Sequence, residues 1–543
     1  MEYLVRLMRV LALTLFLFFV VSCQAQESSL HVDPPVVIGE TASSQDVADE
    51  PTTETQVAEE PVEAEVEESA AEDALAEEND KADDVSASEG VTGTTGLYLP
   101  AAVKDYPPSA PPAPNIFGTQ MSRNHVNNPT VLQKITQNAN QASLSWVRYE
   151  GIRWYEVEEN PGDRNWPESL GDTIIAFNAQ KLTPMIVVQG TPSWAQKVPG
   201  SFCGPVKEES LDEFATFMSD LVTRYSAAPY YVKHWELGNE IDVDASLVGP
   251  DSVFGCWGDQ TDPYYGGGYY AQMLKQVYPA MKAADPEAQL VFGGLLLDCD
   301  HTNPPETQAD GCLPSKFLEG VLRNDGGDYF DILAYHAYMY WAPGVFDLDL
   351  LFRKWRHRGG ALLGKLNFLE EVLAQYNVNK PIIMNEGGLL CFPTTQETCT
   401  NLKSDFRNSQ ANYAIRLYTR TGATSLIGSV WYTLDHPGWR DGALLDANQD
   451  PRPALKAIEF LGSKLKNATY TQTLASVEAD GYEGYEYTNG NMTYRIYWTN
   501  DETTVTVQLP AGAKAYDKLG TDVTPNGTPL TVGFEPVIVE ISN

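Results

Sequence analysis

The sequence of 543 residues predicts an α/β fold, namely a (β/α)₈ TIM barrel followed by a small C-terminal antiparallel β-sandwich. Two observations support this prediction. From Pro114 onward, eight short apolar runs alternate with longer amphipathic stretches over about 350 residues. After about residue 466 the pattern changes to alternating polar and apolar residues broken by turn signals. We therefore expect a barrel domain over residues 96–465 and a sandwich over 466–543.

The eight apolar runs are the predicted strands of the barrel. In order they read NIFGTQM, LSWVRYE, PMIVVQG, YYVKHWEL, AQLVFGG, YFDILAYHAY, KPIIMNE and LIGSVWYT. The stretches between them, such as LDEFATFMSDLVTRY, are amphipathic with helical spacing. A doubly wound open sheet is the alternative fold, but such a sheet usually has fewer strands, and no G-x-G-x-x-G follows the first run.

The C-terminal segment carries a cluster of aromatic residues. Tyr494, Tyr497 and Trp498 lie in YEYTNGNMTYRIYWTN, which reads as two strands joined at Asn-Gly. These rings could stack on sugar, as in a carbohydrate-binding module. Aromatic side chains in a small sandwich more often pack its core or its contact with a neighbouring domain, and we favour that interpretation.

The first 23 residues have the layout of a signal peptide. Arg6 and Arg9 precede the apolar run from Val10 to Val21, which is too short to span a bilayer comfortably. The sequence VVSC resembles a bacterial lipobox, so Cys23 is the expected site of lipidation; secretion without a lipid is the alternative. A lipid on Cys23 would hold the protein on a cell membrane or outer membrane without a transmembrane helix.

Residues 24–95 form an acidic segment. They hold 21 Asp and Glu against one Lys, which is about half of the net charge of -38. A segment with so few apolar residues cannot bury enough surface to offset the entropy of ordering, so we expect a disordered linker that tethers the catalytic part. The negative charge of the whole chain also argues against a nucleic acid as partner, because phosphate binding needs a basic face.

Six cysteines remain when Cys23 is set aside. An even number in an exported chain favours disulfides, although six cysteines allow fifteen connectivities. Spacing favours two local disulfides, Cys299–Cys312 and Cys391–Cys399. The remaining two cysteines then form the pair Cys203–Cys256. No clustered Cys/His spacing and no His-x-x-x-His is present, so we expect neither a metal nor a cofactor.

Polar and aromatic residues end several of the predicted strands, and the C-terminal ends of the strands are where a barrel of this kind carries its chemistry. Glu240 ends the fourth strand and Glu386 the seventh, so the two carboxyl groups face each other across the mouth. Glycoside cleavage uses such a pair, one group as acid and the other on the opposite side of the sugar. The other strand-end residues are Arg148, Glu150, Gln189, Asn239, His336, Tyr338 and Trp431.

The motifs WELGNEI and IIMNEGG resemble the strand-four and strand-seven motifs of clan A glycoside hydrolases, which are retaining (β/α)₈ glycosidases; the resemblance is to the family 39 or family 5 type. It implies that Glu240 is the acid/base and Glu386 the nucleophile. It also implies that Asn239 binds the 2-hydroxyl of the sugar and that Tyr338 orients the nucleophile. The substrate-binding residues implied by the resemblance are Arg148, Asn239, His336, Tyr338 and Trp431.

Other residues near these motifs have competing interpretations. Glu236 lies four residues deeper than Glu240 in the same strand, so a buried structural partner is the favoured interpretation. Glu150 could contact sugar or pair with Arg153. Three tryptophans lie in loops that should rim the cleft, where each could stack on sugar or pack. They are Trp194, the one we expect to bind substrate, together with Trp257 and Trp341.

The sequence therefore predicts a surface-tethered, monomeric glycosidase that cleaves β-linked poly- or oligosaccharides with retention. Its partners are expected to be a carbohydrate substrate and, through the N-terminal lipid alone, a membrane. A catalytically inactive barrel that binds glycans is one alternative, and the presence of both carboxyl groups argues against it. A transglycosylase using the same covalent intermediate is the other.

Overall fold

The computed structural model describes residues 110–543, apart from 250, 251, 253, 392–395 and 528. The predicted signal peptide, the acidic linker and Cys23 lie outside the described residues. Eight parallel strands form one curled sheet, in the order β5-β4-β3-β2-β1-β8-β7-β6. They are β1 (Phe117–Met121), β2 (Trp146–Arg153), β3 (Thr183–Gln189), β4 (His234–Leu237), β5 (Gln289–Phe292), β6 (Leu333–Trp341), β7 (Ile382–Cys391) and β8 (Leu426–Trp431).

The strand order is the one expected for a barrel. From β6 through β8 to β1 and on to β5, each strand pairs with its neighbours in sequence. The pairing of β1 with both β2 and β8 does not occur in a doubly wound sheet. Between β5 and β6 there is no ladder, and isolated parallel bridges join Val291 to Ile332 and Leu295 to Tyr335. The sheet thus fits a (β/α)₈ barrel whose hydrogen-bonded ladder is interrupted at one seam.

Helices surround the strands and cover the sheet. In α4, for example, Phe214, Phe217, Met218 and Leu221 are buried at helical spacing and face the barrel. Asn128 caps α1 by accepting from the backbone N–H of Val131. The helices are α1 (Pro129–Gln141), α2 (Trp154–Val157), α3 (Glu168–Ala179), α4 (Leu211–Tyr225), α5 (Gly267–Ala284), α6 (Phe317–Arg323), α7 (Gly360–Gln375), α8 (Gln396–Asn401), α9 (Lys403–Gly422), α10 (Pro453–Leu465) and α11 (Val477–Asp480).

The C-terminal part is antiparallel, in agreement with the change of period in the sequence. A five-stranded sheet has the order β13-β15-β11-β10-β9, and β12 pairs with β14. Tyr497 and Val539 pack with Leu530 and Val532 in one buried cluster, as in a β-sandwich. The strands are β9 (Thr469–Ala475), β10 (Tyr482–Asn489), β11 (Met492–Thr499), β12 (Val505–Val507), β13 (Lys514–Tyr516), β14 (Leu530–Val532) and β15 (Val537–Ser542).

The aromatic residues of this C-terminal part are buried. Trp498 exposes none of its surface, and Tyr494 and Tyr497 are covered as well. The indole N–H of Trp498 donates to Glu483, whose carboxylate also accepts from Arg420 of α9 at 2.6 Å. These rings therefore pack the sandwich and its contact with the barrel, as the second of the two interpretations predicted.

The chain enters the barrel on the face where the strands begin. The hydroxyl of Thr183, the first residue of β3, donates to the carbonyl of Pro112 at 3.4 Å. The side-chain amide of Asn115 donates to the carbonyl of Ser143, just before β2. Residues 112–115 thus run along the strand starts, opposite the face where the strands end. Among the described residues, no helix is long and apolar enough to cross a membrane.

Disulfides link the loops at the end of the strands. Cys203–Cys256 joins the loop after β3 to the loop after β4. Cys299–Cys312 lies in the loop after β5, and Cys391–Cys399 connects the end of β7 to α8. All three predicted pairs are therefore present. Disulfides persist in oxidising compartments, so they indicate an extracytoplasmic protein.

Candidate active site

Glu386 lies at a bulge of β7, where the register with both neighbouring strands shifts by one residue. Bulges re-aim side chains, and this one turns Glu386 into the mouth of the barrel, meaning the face where the strands end. The side chain is 8% exposed. The Nη1 of Arg148 donates to one carboxylate oxygen at 2.5 Å, and the hydroxyl of Tyr338 donates to the other.

Arg148 organises the floor of the site. It is fully buried, and its guanidinium makes a bidentate pair with Glu236 at 2.8 and 2.9 Å. It also donates to the side-chain oxygens of Gln120 and Asn239, each at 2.5 Å. Burial lowers the pKa of Arg148, but the negative charges of Glu236 and Glu386 raise it overall. Glu236 is therefore the buried partner of Arg148, as the sequence indicated.

Glu240 follows the short strand β4 at the mouth. Its φ of 50° lies in the left-handed region, and Gly238 just before it also has a positive φ, so the backbone turns sharply here. The carboxyl side chain is 15% exposed and lies 2.9 Å from Nδ1 of His336. Burial raises the pKa of Glu240 to about 7, against the lowering effect of Arg148 and Lys365. A group with this pKa can be protonated near neutral pH.

His336 lies between the two carboxyl groups. Its ring is fully buried, and Nε2 is 3.8 Å from Glu386. Burial lowers the pKa of His336 to about 4, so the ring is neutral near neutral pH. Gly294 passes so close to the ring that a Cβ there would lie 2.2 Å from Nε2. The backbone carbonyl of His336 accepts from the buried ammonium of Lys365 at 2.9 Å.

The two carboxyl groups are close together. One oxygen of Glu240, one oxygen of Glu386 and one ring nitrogen of His336 all lie within 4.8 Å of one another. A separation of about 5 Å is typical of retaining glycosidases, whereas inverting enzymes need about 6.5–9.5 Å. The same three side chains offer ligand atoms at distances that would suit a metal ion. The expected absence of a metal therefore stays a prediction.

Burial also raises the pKa of Glu386, and the negative charge of Glu240 adds to this effect. His336, Arg148 and the hydrogen bond from Tyr338 act in the opposite direction. Among the described residues, no cationic side chain donates a hydrogen bond to Glu240, whereas Arg148 donates one to Glu386. The structure thus gives the two carboxyl groups different environments, which is the condition for one to act as an acid and the other as a base or nucleophile.

The tryptophans of the mouth are mostly packed. Trp431 exposes none of its surface, donates to the carbonyl of Gly442 and lies against Gly388 of β7. Trp194 is half-buried and donates to the carbonyl of Glu158. Trp257 and Trp341 are buried, and Trp341 is the last residue of β6, so the expectation that it lies in a loop was wrong. The sugar contacts predicted for Trp431 and Trp194 stay predictions.

Three residues of this region were not singled out in the sequence. Gln120 is the last residue but one of β1 and accepts from Arg148; its position near the end of a predicted strand was the available signal. Trp439 is half-buried, and its ring lies 5.6 Å from that of Tyr338. Lys365 lies on α7, where a lysine in an amphipathic helix is expected on the surface, so no pattern pointed to a buried ammonium.

The fold described above is that of clan A glycoside hydrolases, as the sequence resemblance predicted. No known family model matches the sequence, and no curated protein matches it. Among solved structures, a family 39 glycoside hydrolase from Bacteroides cellulosilyticus WH2 is similar with a TM-score of 0.58 and 20% identity, over 79% of this chain and 81% of that chain.

Two further solved structures are similar over most of their length. A monomeric β-xylosidase from Caulobacter crescentus CB15 has a TM-score of 0.52 and 12% identity, over 80% of this chain and 98% of that chain. The catalytic domain of GH30 xylanase C from Talaromyces cellulolyticus has a TM-score of 0.52 and 11% identity, over the same shares. At these identities the similarity shows the fold alone.

Proposed function

We propose that this protein is a retaining glycoside hydrolase that cleaves β-linked sugars by double displacement, with Glu240 as the acid/base and Glu386 as the nucleophile. The observation that carries the proposal is the pair of carboxyl groups, which lie within 4.8 Å of each other in different environments at the mouth of the barrel. That spacing leaves no room for a water molecule between the sugar and Glu386, so it favours direct attack.

In the first step, the carboxylate of Glu386 attacks the anomeric carbon while the carboxyl group of Glu240 gives its proton to the leaving oxygen. The C–O bond to the leaving group breaks, and a glycosyl ester of Glu386 forms. Arg148 and Tyr338 hold the two oxygens of Glu386, which fixes the direction of the attack.

In the second step, Glu240 is ionised and takes a proton from water, whose oxygen attacks the anomeric carbon and releases Glu386. His336 can hold the acid form of Glu240, because the O–H of this form can donate to Nδ1 across 2.9 Å. The ring stays neutral in both steps.

The hydrogen bonding of Asn239 supports a role in binding the 2-hydroxyl of the sugar. Its side-chain oxygen accepts from Arg148, so the amide NH₂ is the group that faces away from the guanidinium. A hydrogen bond from this amide to the 2-hydroxyl would position the anomeric carbon beside Glu386. Such bonds strengthen in the transition state of glycoside cleavage.

The similar structures suggest which substrates to test first. One is described as a xylanase and another as a β-xylosidase, so aryl β-xylosides and xylan head a panel that also includes aryl β-glucosides and arabinofuranosides. The wild-type protein is expected to hydrolyse at least one of them. Glu240→Ala and Glu386→Ala should each lose most of this activity, whereas Glu156→Gln, a change at a partly exposed carboxylate, should not.

Azide distinguishes the two roles. With an activated aryl β-glycoside, Glu386→Ala should form a glycosyl azide of inverted configuration, because azide replaces the nucleophile. Glu240→Ala should form one of retained configuration, because azide attacks the glycosyl ester. Products of the same configuration from both variants would contradict the assignment, and a wild-type protein that binds glycans without cleaving any would support the inactive barrel.

We further propose that the enzyme is monomeric and is tethered to a membrane through a lipid on Cys23. The support is the VVSC motif in the sequence, since Cys23 lies outside the described residues. Expression in a bacterium that acylates lipoproteins should place the wild type in the membrane fraction. Cys23→Ser should release it, and an unchanged distribution would contradict the lipid anchor.

A further inference from the structure

Glu150 is a third carboxylate at the mouth of the barrel, and it takes no part in the formation or the hydrolysis of the glycosyl ester. It lies two residues after Arg148 in β2, so both side chains are on the inner face of the barrel. The pairing of β1 with β2 ends at Tyr149, and a bulge in β2 follows before Ile152. Glu150 therefore stands at the rim of the site, with its side chain 27% exposed.

Two amides hold the carboxylate of Glu150 in place. Gln120 donates to one oxygen at 2.8 Å, and Gln189 donates to the other at 3.4 Å. Arg153, the partner considered from the sequence, donates to Glu156 instead. Each oxygen of a carboxylate can accept about two hydrogen bonds, so Glu150 has room for further donors.

An unpartnered acceptor lies beside this carboxylate. The side-chain oxygen of Gln189 is buried and has no hydrogen-bond partner within the described part of the chain. Buried polar atoms of this kind are rare, and leaving one without a partner costs about 1–3 kcal/mol. The side-chain oxygen of Gln189 lies too deep for a ligand at the rim to reach, so Glu150 is the acceptor that a sugar in the mouth would meet.

Glu150 is also fixed relative to the nucleophile. Its oxygen lies 3.9 Å from Nη1 of Arg148, and the same nitrogen donates to Glu386 at 2.5 Å. Gln120 bridges Glu150 and Arg148 as well, since it accepts from the guanidinium and donates to the carboxylate. A sugar ring attached to Glu386 is therefore within reach of Glu150.

We propose that the carboxylate of Glu150 accepts hydrogen bonds from ring hydroxyl groups of the sugar whose anomeric carbon is attacked. This inference rests on the proposed function and defines the class of substrate. The sugar must carry free hydroxyl groups on the side that faces β2 and β3, and a carboxylate or a sulfate there is excluded by repulsion from Glu150.

A purely structural role for Glu150 makes a different prediction. If the carboxylate only held Gln120 and through it Arg148, its loss would misplace Glu386 and slow every substrate by the same factor. If it binds hydroxyl groups, its loss would matter only for substrates that carry those groups. Substrates that lack one hydroxyl at a time distinguish the two roles.

The test compares an aryl β-glycoside that the wild type hydrolyses with its monodeoxy analogues, using kcat/KM for wild type, Glu150→Ala and Glu150→Gln. For the wild type, removal of a hydroxyl that donates to Glu150 should lower kcat/KM by about 10- to 100-fold, as for other bonds to charged groups. For Glu150→Ala the same deoxygenation should cost less than about 3-fold. Glu156→Gln serves as the control and should keep the wild-type pattern.

The expected result is that, at one hydroxyl position or at two neighbouring ones, deoxygenation costs much more in the wild type than in Glu150→Ala. Losses that are equal in wild type and in both Glu150 variants at every position would overturn the proposal. If Glu150→Ala is too unstable to assay, Glu150→Gln, which keeps the shape of the side chain, decides the question. A wild type without any glycosidase activity would instead overturn the proposed function, so the two failures are distinguishable.

Discussion

The ionisation of Glu240 should govern how activity depends on pH. Burial raises the pKa of Glu240 to about 7, and the acid form is needed for the first step. We expect kcat/KM for an ordinary aryl β-glycoside to fall as pH rises through about 7. With a dinitrophenyl leaving group, which needs no proton, this fall should be weak or absent. A fall of equal size for both leaving groups would contradict Glu240 as the acid.

The same raised pKa affects stability. The folded protein keeps a proton on Glu240 between the ordinary pKa of 4.5 and the raised value of about 7, whereas the unfolded chain has lost it. The contribution of Glu240 to the free energy of unfolding must therefore fall as pH rises through this range. Glu240→Gln removes the effect, so its free energy of unfolding should exceed that of the wild type by about 1–3 kcal/mol at pH 8.

At a pH below 4.5, the folded and the unfolded wild-type protein both carry the proton on Glu240. The difference in free energy of unfolding between Glu240→Gln and the wild type should then disappear. Urea unfolding at the two pH values measures the difference. Burial also raises the pKa of Asp242, to about 6. Asp242 titrates in the wild type and in Glu240→Gln alike, so its effect on the difference in stability cancels to a first approximation. A variant that is equally stabilised at both pH values would contradict the raised pKa of Glu240.

Individual residues were predictable from sequence where a polar residue ends an apolar run. Glu240, Glu386 and Arg148 are examples, because a polar residue that ends a buried apolar run has few structural uses. The expectation that these residues also end their strands was wrong for two of them, because β2 continues past Arg148 to Arg153 and β7 past Glu386 to Cys391. The depth of Glu236 in the strand predicted a buried structural role, but not that its partner would be Arg148. Lys365 could not be predicted, since the spacing of a helix gives no sign that an ammonium group is buried.

At the scale of the elements, the segment after β5 determines how closely β6 can lie beside β5. Gly294 lies beside the seam, and a Cβ there would meet Nε2 of His336 at 2.2 Å and the side-chain oxygen of Asn385 at 2.8 Å. Gly294→Ala should therefore displace His336 from Glu240. We expect a loss of about 1–3 kcal/mol in stability, as for other overpacked sites, together with a marked fall in kcat.

Thermal unfolding and steady-state kinetics measure the two effects of Gly294→Ala. Gly344→Ala is a matched control, because nothing lies within 4 Å of a Cβ at that position, although its positive φ makes a small loss of stability unavoidable. Wild-type kcat in Gly294→Ala would show that the contact between His336 and Glu240 is not needed.

The loops after β3 and β4 are held by a long-range disulfide. Cys203 and Cys256 are 53 residues apart, whereas Cys391 and Cys399 are 8 apart. In the chain-entropy account, the longer loop constrains the unfolded chain more, so removing Cys203–Cys256 with two serines should cost about 2–4 kcal/mol. Removing Cys391–Cys399 in the same way should cost about 1–2 kcal/mol less. Denaturant unfolding measures both, and equal losses would contradict the account.

Elements were predictable in number and order, but their details were not. All eight apolar runs are strands, because parallel strands buried on both faces have few polar residues. The bulges at Glu150 and Glu386 and the missing ladder between β5 and β6 left no pattern in the sequence. They depend on how neighbouring strands meet, which local periodicity does not encode.

At the scale of the whole molecule, a buried cluster of charges joins the barrel to the C-terminal sheets. Arg420 of α9 contacts Asp347 at 2.8 Å and Asp349 at 3.2 Å in the loop after β6, and Glu483 at 2.6 Å in β10. All four side chains are almost completely buried. The cluster makes the two parts dependent on each other, because none of these charges can be left unpaired.

Arg420→Met should therefore lower the free energy of unfolding by about 3–5 kcal/mol, the usual cost of removing one partner from a buried ion pair. Lys134→Met is the control, since Lys134 and Asp450 form an exposed pair that is worth at most about 1 kcal/mol. Both are measured by urea unfolding followed by tryptophan fluorescence. If Arg420→Met lowered the free energy of unfolding by no more than Lys134→Met does, the cluster would add little to stability.

The course of residues 112–115 along the strand starts has a consequence for any attachment through the N-terminal segment. The hydrogen bond between Thr183 and Pro112 fixes the point of departure on the side of the barrel remote from Glu240 and Glu386. Attachment to a support through the N-terminal segment would therefore leave the cleft uncovered and free to meet long polymers. Immobilisation through a loop of the opposite rim would instead press the cleft against the support and admit only small, soluble sugars.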